Sequence, residues 1–499
     1  MDVRIDEKQA GESVSPATLV SGGAAPAEDG ALYEARKQIY PQSVTGTFRR
    51  IKWIILAVTL GIYYLLPFVR WDRGPGAPNQ AVLVDLEHNR FYFFFIEIWP
   101  QEVYYITGLM ILAALGLFLM NALAGRVWCG YLCPQTVWTD LFLAIERLAE
   151  GDRRERMRKD AGPWNVQRVA EKIVKHSLWL AIAWWTGGAW VLYFNDAPTL
   201  VRQLATFHAP AIAYIWIGIL TGTTYILAGF MREQVCLYMC PWPRIQAALT
   251  DENALNVTYR YDRGEPRMSV KKAKAARTLG GPAGDCVDCG QCVAVCPTGV
   301  DIRGGLNMGC IQCGLCIDAC DNVMRKIGRP ERLIAYDTDV NIQRRLAGLE
   351  NVFKPVRVRT VLYTVLIVGI FALMAGKMFT RADASLAVIH DRNPLFVTLS
   401  TGEIRNGYTV RFANMAPKAR HFVLRVEGLP GSRFEVVGED KNKSGREDLD
   451  IGPDQTRETR LLVFSGSAKP HGNSTPLRFV LTDETGKTVA TAKDFFRAP

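Results

Sequence analysis

Between Cys286 and Cys320 the chain spells Cys-x2-Cys-x2-Cys-x3-Cys twice: Cys286, Cys289, Cys292 and Cys296-Pro297, then Cys310, Cys313, Cys316 and Cys320. This run dictates a local fold, because two residues between thiolates let a tight loop wrap one corner of a cubane while the fourth cysteine swings away. The pattern is that of a module with two [4Fe-4S] clusters and crossed ligation. Cys286, Cys289 and Cys292 with Cys320 are expected on one cluster, and Cys310, Cys313 and Cys316 with Cys296 on the other. A zinc ribbon pairs two Cys-x2-Cys knuckles across a spacer of about 15–20 residues, and disulfides need an oxidising compartment. Neither accounts for two successive four-cysteine runs. Proline follows Cys296, whereas Asp321 follows Cys320.

Five stretches approach the length of about 20 apolar residues that crosses a bilayer. They are Trp53 to Val69, Val103 to Leu123, Ser177 to Phe194, Ala211 to Met231 and Val361 to Met378. Residues 124–175 carry ten Lys or Arg, against three in 70–102 and one, Arg202, in 195–210. Basic loops stay in the cytoplasm, and Arg49, Arg50 and Lys52 precede or open the first stretch, so the amino terminus is expected inside. An odd number of spans then puts the carboxyl terminus outside. This topology absorbs most of the formal net charge of +10, and no nucleic-acid partner is expected. The first 45 residues are polar with no early apolar core, so they read as a disordered tail without a cleavable signal, and the first span acts as the anchor.

Of the twelve cysteines, eight lie between the fourth and fifth stretches, four at the inner ends of the second and fourth, and none after the fifth. That is the distribution of thiols kept reduced inside for metal binding and avoided outside. The four form an internal repeat: Arg126-Val127-Trp128-Cys129-Gly130-Tyr131-Leu132-Cys133-Pro134 and Arg232-Glu233-Gln234-Val235-Cys236-Leu237-Tyr238-Met239-Cys240-Pro241. Proline suits the first turn of a new helix and forbids simple continuation of the span. Amphipathic segments follow, Thr136 to Leu148 and Arg244 to Leu249, placed to lie along the membrane face. If each Cys-x3-Cys stays helical, its thiols sit one turn apart on one face. Two such soft pairs suit Cu(I) and could converge on one site. The plainer reading is four small residues packed near helix ends.

After Met378 the pattern changes to period two. Tyr408, Val410 and Phe412, then Phe422, Leu424 and Val426, then Leu477, Phe479 and Leu481 mark strands, with turn signals between them. About seven strands would build an immunoglobulin-like sandwich without an inter-sheet disulfide. The expected whole is a multi-domain membrane protein: a five-helix α transmembrane domain, a ferredoxin-like 2[4Fe-4S] α+β module and a C-terminal all-β immunoglobulin-like sandwich. The boundaries are 1–45 tail, 46–255 four-helix region with both repeats, 256–355 ferredoxin module and linkers, 356–380 fifth span, and 381–499 outer domain.

Histidine offers little for a haem between helices, since His176 alone lies at a span while His88, His208, His390, His421 and His471 fall in outer segments. The run Phe91 to Pro100 with Glu102, Tyr104 and Tyr105 reads as an interfacial aromatic belt. Its functional reading is a quinone or metal-access site in which Glu97 or Glu102 handles protons or cations.

Taken together, the chain resembles the bacterial cytochrome c oxidase accessory proteins called CcoG, FixG or RdxA, over nearly its entire length. The resemblance rests on Arg90 to Gln101, on Gly125 to Asp140, on the eight-cysteine run, and on Asp391-Arg392-Asn393-Pro394-Leu395-Phe396 with Ile404-Arg405-Asn406-Gly407-Tyr408. It implies a multi-pass protein of the bacterial inner membrane, with a cytoplasmic amino terminus and a periplasmic C-terminal domain, that assists assembly of cbb-type oxidases. It also implies reduction of Cu(II) to Cu(I), with Cys129, Cys133, Cys236 and Cys240 as copper contacts and catalytic groups. The implied partners are membrane lipid, oxidase assembly factors or subunits, and a cytoplasmic electron donor. The repeated motif is also similar to that of membrane polyferredoxins, so an electron-transfer subunit between quinol or a cytoplasmic donor and a periplasmic partner stays open. So does a non-catalytic assembly scaffold.

Overall fold

The structure, a computed structural model, describes residues 38–74, 77–416, 418–438, 446–452, 455–465 and 473–499. Most of the expected tail over 1–45, and His471, lie outside the described residues. Residues 38–45 run without regular structure and are tied down: the Gln42 N–H donates to the Ala294 carbonyl at 2.8 Å, and the Ser43 hydroxyl to Asp152 at 2.7 Å. The described residues form two compact units, one reaching Arg70 and resuming over Gln80–Ala372, the other comprising Trp71–Asn79 and Leu373–Pro499.

Among the described residues four helices are long and apolar enough to cross a membrane: Thr47–Phe68, Tyr104–Ala124, Ala211–Met231 and Val358–Phe379. The sequence pattern predicts five. The remaining stretch, Ser177 to Phe194, lies in the Val166–Val191 helix. Lys172, Lys175 and His176 crowd its start, Thr186, Gly187 and Gly188 dilute it further on, and the helix ends before Phe194. This helix packs on the Ala211–Thr224 helix at Gly187, where a Cβ would lie 3.0 Å from the Ile217 carbonyl. The second span is followed by the Val127–Tyr131 and Pro134–Glu150 helices.

Charges buried at the thiol-bearing ends of these helices are paired, as a low-dielectric site requires. Asp140 accepts from Arg49 at 2.8 Å with Lys52 at 3.6 Å, and Glu146 holds both Arg156 and Arg232. The first span begins at Gly46, whose own side chain can cap nothing. The Asp318 carboxylate supplies the cap instead, accepting from the Phe48 and Arg49 N–H groups at 3.2 and 2.8 Å. Asp318 belongs to the Leu315–Lys326 helix of the cysteine-rich segment. That segment is closed by an antiparallel pair, Asn256–Tyr259 on Ile334–Asp337, and carries a short Gln291–Ala294 helix.

A three-stranded meander, Val82–Asp85, Arg90–Phe93 and Ile96–Ile98, occupies the segment predicted as an aromatic belt. Asn89 and Phe94 take left-handed backbone at its turns. Tyr92 and Trp99 are buried within it.

In the second unit two sheets stack. One has the order 433–436, 455–464, 404–414, 384–390, with the short 397–398 strand on 404–414; the other has the order 446–451, 420–427, 474–483, 488–497. Alternation puts Tyr408, Val410, Phe412, Phe422, Leu424 and Phe479 inward, where they form one apolar core. No cysteine follows Cys320, so packing alone joins these sheets.

Candidate metal centre

The two cysteine runs fold alike because their local sequences are alike. Asp288 and Gly290 in the first, and Gln312 and Gly314 in the second, all take positive φ. Each glycine precedes a helix that bears the third cysteine, so the chain turns sharply between the second and third thiols. The thiols then regroup across the runs. Cys286, Cys289, Cys292 and Cys320 line one void, and Cys296, Cys310, Cys313 and Cys316, with Cys292, line another.

These voids suit iron-sulfur cubanes better than single ions. Among the described residues no three His, Cys, Asp or Glu side chains close around one metal, whereas a cubane takes four thiolates held apart at its corners. Apolar side chains, among them Tyr259, Met324, Leu333 and Ile334 at the first void and Val257, Ile302 and Leu315 at the second, share the lining with the thiols. Burial pushes Cys292 up to about 11 and Cys310 and Cys320 up to about 12. Such thiols lose their protons to solvent when they bind a metal, so binding couples to proton release.

The two Cys-x3-Cys turns are built on one plan. A span ends, one residue takes positive φ (Gly125, Arg232), and a short helical turn carries the first cysteine. The second cysteine is extended, as a residue before proline prefers. Each turn closes with the same bond spanning five residues, Cys133 N–H to the Trp128 carbonyl at 2.9 Å and Cys240 N–H to the Val235 carbonyl at 2.8 Å. The helical arrangement expected for each pair is therefore overturned at its second member. The four thiols nonetheless share one neighbourhood: burial pushes Cys129 up to about 12, with Cys133, Cys236 and Cys240 adding to the effect. Gln135 ties the halves together, its amide donating to the Leu227 carbonyl at 2.8 Å.

Both turns also press on the second cysteine run. Cys129 packs against the apolar cluster that Val295, Ile311, Cys313, Leu315 and Ala319 form. A Cβ on Gly130 would lie 2.7 Å from the Ile311 carbonyl oxygen, and one on Gly309 would lie 3.0 Å from Leu237. The Tyr131 hydroxyl donates to the Cys313 carbonyl at 2.9 Å. Arg126 joins all three segments: its N–H donates to Gln312 at 2.8 Å, and its guanidinium reaches the Met308, Cys310 and Pro243 carbonyls. The sequence places Arg126 at the head of the repeat but carries no local signal for this bridging role.

Other candidates have structural duties. Glu97 pairs with Arg90 at 3.0 Å beneath its stacking on Trp99, and Glu102 accepts from the Trp99 N–H at 3.3 Å. His176 shares a hydrogen bond with the Tyr225 hydroxyl at 2.9 Å.

Residues 231–339 match the family described as a 4Fe-4S dicluster domain, residues 106–148 a 4Fe-4S binding domain, and residues 374–499 an IG-like fold at the C-terminal of FixG, putative oxidoreductase. The nitrogen fixation protein FixG of Rhizobium meliloti is 49% identical over 461 residues, 87% of each chain. Protein RdxA of Cereibacter sphaeroides is 49% identical over 91% of this chain and 95% of its own, and RdxB of the same organism 46% identical over 91% and 94%. Among solved structures, a FixG-related protein from Vibrio parahaemolyticus aligns over 23% of this chain and 97% of its own, at 22% identity and a TM-score of 0.20.

Proposed function

The chain belongs to the FixG/RdxA family, a membrane-associated iron-sulfur electron-transfer protein, and from that premise we propose that it reduces Cu(II) to Cu(I) for assembly of a cbb-type cytochrome c oxidase. The observation that carries this reading is the close approach of Gly130 to Ile311 and Cys313, with Cys129 packed against the apolar cluster that contains them, which brings a Cys-x3-Cys thiol beside a cluster-binding loop. Cys286, Cys289, Cys292 and Cys320 would hold one cluster, and Cys296, Cys310, Cys313 and Cys316 the other. When bound, the clusters supply electrons one at a time, matching a one-electron metal reduction. Cys129, Cys133, Cys236 and Cys240 receive the copper substrate, and their soft sulfur donors favour Cu(I) over Cu(II). Arg126 and Tyr131 hold the turn and the loop in register.

Orientation follows from the basic 124–175 segment, which keeps the thiol-bearing ends and the cluster module in the cytoplasm of a bacterial inner membrane. Ser177 to Phe194 supplies the fifth span: Leu180, Trp184, Trp185 and Trp190 are exposed on it, a surface for lipid. The sandwich then lies in the periplasm, available to oxidase subunits or assembly factors, and the electron donor approaches from the cytoplasm or the membrane.

The test is anaerobic. Purified protein is reduced, freed of reductant, mixed with Cu(II), and Cu(I) is read with a chromogenic chelator. One Cu(I) should appear per electron stored. A rate that survives loss of both clusters and of all four Cys-x3-Cys thiols sinks the mechanism. The match of residues 106–148 to a 4Fe-4S binding family favours a second reading, electron delivery to a periplasmic protein partner. That reading predicts cluster reoxidation insensitive to copper.

A further inference from the structure

An open cavity of about 450 Å³ lies where the Pro134–Glu150 and Val166–Val191 helices meet the end of the Ala211–Met231 span, with Tyr40 from the leading segment on its rim. Its volume is that of a small-molecule site. Its charges are spent: Arg168 pairs with Asp160 at 3.1 Å, Lys172 with Glu150 at 3.0 Å, Lys175 with Glu150 at 2.7 Å and Arg232 with Glu146 at 2.9 Å. Each of these four cations thus has a carboxylate partner, Glu150 serving two of them, so none stands bare for an anion. What it offers is ring surface and one adaptable hydrogen-bonding group. His176 stacks on Phe230, with ring centroids 5.9 Å apart and planes 13° from parallel, and meets Trp179 edge-on at 5.3 Å. The Tyr225 hydroxyl occupies His176 Nδ1 at 2.9 Å, which leaves Nε2 for a ligand.

Position narrows the ligand further. His176 immediately precedes the apolar stretch Ser177 to Phe194, and Phe230 closes the Ala211–Met231 span, so the cavity sits where apolar helix gives way to charged helix. Arg232 and Glu233, also in its wall, lead directly into the Cys236 turn. A neutral, flat ring with carbonyl oxygens, delivered from the apolar phase of the membrane, meets every one of these conditions. We propose that this cavity binds the headgroup of a membrane quinone, with a ring carbonyl on His176 Nε2 and the ring against Phe230. The site differs from the Phe91 to Pro100 segment that the sequence suggested, where Glu97 and Arg90 are spent on each other. It concerns binding only and stands whether or not copper is the electron acceptor.

The experiment is equilibrium binding of decylubiquinone to the full-length protein in phosphatidylcholine nanodiscs, without copper, with iron content confirming that each variant is folded. Wild type should bind saturably at one site, unaffected by excess inorganic phosphate. His176→Gln should weaken binding about tenfold, the loss of one directed hydrogen bond and its ring. Phe230→Leu, which keeps apolar bulk, should weaken it several-fold, whereas His208→Gln, at an exposed histidine on another segment, should not. The proposal is overturned by absence of saturable binding, by both cavity variants binding like wild type, or by displacement with inorganic phosphate or anionic lipid, which would mark an anion site instead.

Discussion

Gly130 and Ile311 approach so closely that a Cβ on the first would lie 2.7 Å from the carbonyl oxygen of the second and 3.1 Å from the Cys313 backbone. Backbone cannot yield as a flexible side chain can, so Gly130→Ala must push the loop carrying Cys310 and Cys313 away from the Cys129 turn. Overpacking of this kind costs about 1–3 kcal/mol. The expected result is a chain that keeps the cluster on the Cys286 side and loses the other, with iron falling from about eight toward about four atoms per chain. Full iron content with unchanged electron paramagnetic resonance spectra would show that the approach is not needed.

The partition of thiols between the two voids makes a second expectation. Cys320→Ser should remove the cluster shared with Cys286, Cys289 and Cys292, and Cys296→Ser the one shared with Cys310, Cys313 and Cys316. Since Arg126 and Tyr131 touch only the Cys310 and Cys313 side, Arg126→Gln should perturb the spectrum that survives in Cys320→Ser and leave that of Cys296→Ser alone. Crossed ligation would be falsified if Cys320→Ser and Cys310→Ser abolished the same signal.

Asp140 predicts an acid limb. Burial pushes its carboxyl up, but Lys52 and Arg49 together outweigh that and hold it below the usual carboxylate range. A group depressed in the folded state stabilises above its unfolded pKa and loses that contribution as pH falls through its folded value, here below about pH 4. Asp140→Asn should leave Arg49 buried without its carboxylate, cost about 3–5 kcal/mol at neutral pH, and flatten the acid limb. Denaturation followed by tryptophan fluorescence at pH 7 and below pH 4 reads both effects. An acid limb as steep as that of wild type would contradict the assignment.

Legibility followed range. The eight cysteines and the strand alternation of Tyr408, Val410 and Phe412 announce themselves because ligand spacing and period two are local signals. The meander at 82–98 was masked by its own composition, since Phe91, Tyr92 and Phe93 serve an interface or a small sheet equally well. Extended backbone at Cys133 and Cys240 could have been read from Pro134 and Pro241, had their effect on the preceding residue been weighed above helical continuity. No local signal pairs Gly46 with Asp318 or Gly130 with Ile311: each glycine acquires its meaning from a segment far along the chain. Buried Arg156 and Glu146 run against residue preference, and their mutual pairing is what permits burial.

The Val166–Val191 helix decides where the sandwich lies, because parity does. Four spans would leave Gln38 and the 381–499 domain on one side of the membrane, and five would separate them. The Lys172, Lys175 and His176 end favours the cytoplasm, and Trp184, Trp185 and Trp190 are exposed along the apolar half. Alkaline-phosphatase fusions after Ala161, after His208 and after Pro499 should therefore be inactive, active and active. An inactive fusion after His208 would remove this helix from the membrane, and with it the periplasmic placement of the sandwich.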